Sequence, residues 1–86
     1  MSIDETRPET HGIMRRIEIK FGGHVHVVRK INTREQSYFY VAYLLPEGVE
    51  NRPSLAPESL GALAWSAADS PEHALKKVED KLNSSR

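Results

Sequence analysis

Apolar residues recur with a period of two through much of residues 13 to 45. From Ile13 to Phe21, the residues Ile13, Ile17, Ile19 and Phe21 share odd numbering, with Met14, Arg16, Glu18 and Lys20 between them. That alternation predicts a half-buried strand over about residues 14 to 21. Gly22-Gly23 reads as a turn, and residues 24 to 31 alternate again through Val25, Val27 and Ile31. The two segments read together as a β-hairpin. A three-residue loop sets Phe21 opposite Val25 and Ile19 opposite Val27, whereas a two-residue loop sets histidines against the apolar face, so the former register is expected.

Residues 32 to 36 are a polar connection, followed by Ser-Tyr-Phe-Tyr-Val-Ala-Tyr-Leu-Leu at 37 to 45, the strongest β segment in the chain. Phe39, Val41, Tyr43 and Leu45 fall on one face, and Tyr38, Tyr40, Ala42 and Leu44 on the other. Pro46 lacks the amide that a ladder needs and ends the strand. Three prolines and scattered turn residues make 46 to 60 a long loop. Residues 60 to 68 fit either a short helix after Pro57 or a fourth strand near 62 to 67 carrying Leu63 and Trp65, and the strand is favoured.

A C-terminal helix from about 71 to 83 has Ser70 as N-cap, Pro71 in the first turn and Glu72 at the positive helix end. Its stripe of Ala74, Leu75, Val78 and Leu82 must cover a sheet face. The odd-numbered face is the expected one, with Leu75, Val78 and Leu82 against Ile19, Val27 and Val41, and Trp65 sealing one end. The fold class expected is therefore α+β, a three- or four-stranded antiparallel sheet with one C-terminal amphipathic helix packed on one face. Residues 13 to 83 would form a single domain, between a disordered tail at 1 to 12 and a frayed end at 84 to 86.

The segment Ala-Ala-Asp-Ser-Pro-Glu-His-Ala-Leu-Lys-Lys-Val, with Asp69, Ser70, Pro71, Glu72, Ala74 and Leu75, and the strand pattern from Tyr40 to Leu44 resemble two groups. One is a set of small bacterial proteins of β-β-β-(β)-α order. More loosely, the wording is similar to the HicB-type antitoxin domain, in which a strand leads into a capped helix. Because the matching residues cap and pack a helix, the resemblance implies a fold and transfers no functional residue.

At 86 residues the chain supports one core and no second domain. There is no cysteine, which fits a reducing cytoplasm. Residues 1 to 12 lack the apolar run of a signal peptide, and no stretch has the length of a membrane span. A soluble cytoplasmic protein without a membrane partner is expected. The twelve basic and twelve acidic side chains cancel to a net charge of zero, which argues against a surface that is basic throughout.

Candidate chemistry is sparse. His24-x-His26 places two imidazoles roughly 7 Å apart along a strand, short of the three or four ligands of a zinc site. No metal or cofactor is expected. Ser66, Asp69 and His73 contain the letters of a triad, but a strand end and a helix cap explain their spacing better. No Gly-rich phosphate loop is present, so an enzyme is not expected. From Ile13 to Leu45, six basic residues outnumber Glu18 and Glu35 by four. Under the expected register Arg16, Lys20, His26 and Lys30 share a sheet face with Tyr38 and Tyr40. These six are the candidate binding residues. The leading expectation is a non-catalytic protein-interaction module, meeting a partner protein or a second copy at a sheet edge or on the tyrosine face. The alternative is weak single-stranded nucleic-acid binding, with the tyrosines stacking on bases and the cations on phosphates.

Overall fold

A computed structural model describes residues 8–85. In chain order these form helix α1 (Pro8–Phe21), strands β1 (His24–Asn32) and β2 (Ser37–Leu45), a one-turn helix α2 (Pro57–Leu60), strand β3 (Ala64–Ala68) and helix α3 (Pro71–Ser84). The strands make an antiparallel sheet in the order β1-β2-β3. The α+β class, the three-stranded antiparallel sheet and the C-terminal helix agree with expectation.

The largest correction concerns residues 13 to 21, which form a helix where a strand was expected. Ile13, Ile17 and Phe21 are spaced by four, so their odd numbering satisfies a period of two and one face of a helix alike. Arg15 and Ile19 decide between them, because a strand would turn both inward. In the structure Arg15 is exposed and Ile19 is 76% exposed, while Thr10, Ile13 and Ile17 form the buried 3,4-spaced stripe of an amphipathic helix. Pro8 to Gly12, expected within a tail, form the start of α1, and the rest of that expected tail lies outside the described residues.

Gly22-Gly23 is accordingly a helix stop and not a hairpin turn. Gly22 takes the left-handed conformation at φ 83° and donates to Glu18 O at 2.9 Å, which ends α1. Gly23 is also left-handed, and a β-carbon there would collide with the Leu45 carbonyl oxygen. The real hairpin joins β1 to β2, pairing His24 with Leu45 and Asn32 with Ser37. Its turn is held by Asn32 Oδ1, which accepts from the amides of Arg34 (3.1 Å) and Glu35 (3.3 Å).

Odd positions of β1 sit opposite even positions of β2 in this register, as with Val25 and Leu44 or Val27 and Ala42. The helices therefore cover Val25, Val27, Ala42 and Leu44, where the odd face of β2 was expected. Ile13, Ile17, Ala74, Leu75, Val78 and Leu82 complete this core. Val41 lies on the opposite face with Tyr43 and Leu45, beneath Leu60 of α2 and Ala62. Of the three residues expected beneath α3, Val27 packs against this core, Ile19 is exposed and Val41 lies on the opposite face. Since β2 is covered on both sides, all five residues from Val41 to Leu45 are buried, which explains its apolar character at every position.

The connection at 46 to 60 is more structured than a loop. It carries turns at Pro46 and Arg52 and α2, and Asn51 Oδ1 accepts from the Tyr43 hydroxyl at 2.6 Å. The strand near 62 to 67 is present as β3, pairing Trp65 with Tyr43 and Ala67 with Val41. Ser70 caps α3 by accepting from the His73 amide at 3.2 Å. The helix runs through Ser84, where a frayed end was expected.

Candidate functional site

A three-stranded sheet has two edges, and backbone groups along them pair, are covered, or stay available to another strand. In an antiparallel ladder each residue directs its N–H and C=O to one side, alternating along the strand. Leu44 O lies on the β3 side of β2, accepting from the Leu63 amide at 2.8 Å, so even residues of β2 bond β3 and odd residues bond β1. Trp65 and Ala67 then turn their backbone groups to the outer edge of β3. On β1 the outward residues are Val25, Val27, Arg29 and Ile31.

The two edges differ sharply. On β3, Lys77 Nζ donates to Ala67 O at 3.1 Å and Lys81 Nζ to Trp65 O at 2.7 Å. These lysines stand one turn apart on α3, so a single helix flank lays both ammonium groups on the edge carbonyls. Lys81 also sits 5.3 Å from the Trp65 ring centroid, a cation–π contact that holds it in place. On β1, Glu18 Oε2 accepts from the Val25 amide at 2.8 Å, standing where a neighbouring strand's carbonyl would be. Beyond it, among the described residues, no side chain or loop bonds the outward groups of Val27, Arg29 and Ile31.

The open stretch has a definite character. On the helix side lie Arg29 and Ile31, with Ile31 57% exposed opposite Tyr38, itself 55% exposed. The Arg29 guanidinium carbon is 4.4 Å from the Tyr38 ring centroid. On the other side lie His26, Val28 and Lys30. His26 is half-buried against Tyr43, with ring centroids 5.6 Å apart. Burial first, then the neighbouring charge of His24, lower its pKa below the ordinary 6.5, with Glu18 opposing.

The six expected binding residues do not share a face. Arg16 and Lys20 are on α1, directed at α3. The Arg16 guanidinium makes a two-pronged contact with Glu79, Nε to Oε2 at 2.6 Å and a second nitrogen to Oε1 at 2.7 Å, and Lys20 Nζ donates to Asn83 Oδ1 at 2.7 Å. This pairing raises the Arg16 pKa and lowers that of Glu79, in each case chiefly through the hydrogen bond itself. His26 and Lys30 occupy the sheet face away from α1 and α3, and Tyr38 and Tyr40 the face toward them. Ala42 and Leu44, expected beside the tyrosines on an exposed patch, are fully buried. The mixed basic and aromatic face fails to form because its first two members belong to a helix.

His24 lies 3.6 Å from Glu47, and His73 lies 3.5 Å from Asp69 one helical turn away, while Ser66 is buried. Among the described residues no three His, Asp or Glu side chains converge on a metal position, and no helix is long and apolar enough to cross a membrane. Glu18 and the outward residues of β1 escaped sequence reasoning, because an edge is defined by strand order. The i,i+4 pair Lys77 and Lys81 following β3 was the legible trace of edge protection. No family model matches the chain, and neither a curated protein nor a solved structure matches it.

Proposed function

We propose that this chain is a non-catalytic protein-interaction module that takes up an extended segment of a partner at the outer edge of β1. The observation that carries this reading is the contrast between the edges. Both outward carbonyls of β3 are occupied by lysines of α3, whereas the backbone groups of Val27, Arg29 and Ile31 are free to pair. Strand addition at such an edge draws affinity from main-chain hydrogen bonds and specificity from alternate side chains. The likeness to HicB-type domains concerns the β3–α3 junction and β2, so it does not bear on this edge.

Arg29→Pro tests the reading. Proline removes one outward donor and is tolerated on the solvent side of an edge strand, whereas Arg29→Ala removes the same side chain and keeps the amide. Of the proteins retained from a native lysate by the wild type, Arg29→Pro should lose more than Arg29→Ala does, because only the proline removes the amide, while its fold, monitored by circular dichroism, persists. Retention by a folded Arg29→Pro equal to that by Arg29→Ala would refute it.

A further inference from the structure

The open edge also carries information about its occupant. We infer that the segment added to β1 is antiparallel and acidic, with the pattern apolar-acidic-acidic-apolar-apolar set against Ile31, Lys30, Arg29, Val28 and Val27. This rests on the edge-binding reading above and deepens it. Side chains directly opposite one another across an antiparallel pair interact, and opposite charges stabilise where like charges destabilise. Arg29 and Lys30 are consecutive, so they point to opposite faces of the sheet. One carboxylate cannot serve both, and two adjacent acidic residues can. Val28 and Ile31, the latter exposed beside Tyr38, call for apolar partners on either side of that pair.

The same geometry disfavours a second copy of this chain. Two-fold pairing of β1 with itself centred on Arg29 or Lys30 sets identical cations directly opposite. Centred on Val28 or Val27, the pairing recruits Val25, whose amide is already held by Glu18. An acidic strand meets neither obstacle, since it needs only the three free outward residues.

The test is an amide-shift titration of the isotopically labelled chain at low salt with capped peptides containing Ile-Glu-Glu-Val-Val flanked by serines. Control peptides carry Ser-Ser or Lys-Lys at the acidic pair. The Glu-Glu peptide should shift Val27, Arg29 and Ile31, weaken as salt rises, and bind roughly tenfold more tightly than the Lys-Lys peptide. The double variant Arg29→Glu with Lys30→Glu should reverse that order. Equal binding of all three peptides would overturn the acidic preference and leave strand addition standing. Silence of the β1 amides toward every peptide, with Arg29→Pro also without effect on partner retention, would remove both. Shifts of these amides with protein concentration alone would replace the acidic strand by a second copy, and equal shifts with a short single-stranded oligonucleotide would replace it by a nucleic acid.

Discussion

Replacing Ile17 and Ile19 separately by alanine tests the helical reading of α1, since a strand would place both residues on one face. Ile17 is fully buried in the core with Leu75 and Val78, while Ile19 is 76% exposed. Ile17→Ala removes three carbon groups at about 0.8 kcal/mol each, roughly 2.4 kcal/mol before any cavity cost. With the cavity the loss should lie within about 2 to 5 kcal/mol. In a domain of this size each kcal/mol lowers the melting midpoint by roughly 4 to 8 °C, so a fall of at least about 10 °C is expected. Ile19→Ala should stay within about 0.5 kcal/mol of the wild type. Thermal and urea melts measure both, and Ile17→Val, expected to cost about 0.5 to 1.5 kcal/mol, serves if the alanine variant is too unstable to study. Comparable losses at both positions would refute the helix and restore the strand.

Three further outcomes are expected. Gly23→Ala should destabilise more than Gly22→Ala, because both glycines are left-handed but only the β-carbon at Gly23 meets the Leu45 carbonyl; denaturant melts of the two variants compare them. Folding depresses the pKa of His26, so the unfolded chain binds more protons. Its contribution should be full above about pH 6.5, decline as pH falls toward the depressed folded value and then level off; melting midpoints from pH 8 to 5 should show this slope, and His26→Gln should lose it. Ser70→Ala should cost about 0.5 to 2 kcal/mol through loss of the α3 cap, read from urea midpoints.

Where a pattern admitted one period, sequence and structure agree. Residues 37 to 45 could only be a strand, and Ser70-Pro71-Glu72 before a 3,4-spaced stripe could only open a helix. Residues 13 to 21 failed because spacing of four serves both periods, and the exposure of Arg15 and Ile19 follows from tertiary packing. That one element misplaced the helix-covered face and scattered the candidate binding residues, since Arg16 and Lys20 moved from a sheet to an α1–α3 contact. The apolar even face of β2 reads from the sequence as an open patch because the odd face is taken as the one under α3, whereas α3 lies on the even face. The open edge was illegible for a further reason: edge status belongs to the assembled sheet, and Glu18, Lys77 and Lys81 reach their backbone partners across 7, 10 and 16 residues.

The central claim is that β1 presents alternate backbone groups to solvent while β3 does not offer its carbonyls. Residue-resolved amide hydrogen exchange on the monomeric chain measures the β1 half of this most directly. The amides of His26, Val28 and Lys30, which pair with β2, should exchange slowly. Those of Val27, Arg29 and Ile31 should exchange much faster, and Val25, held by Glu18, should fall between. Uniform protection along β1, or slow exchange at Val27, Arg29 and Ile31 in a verified monomer, would show that this edge is already occupied and contradict the account.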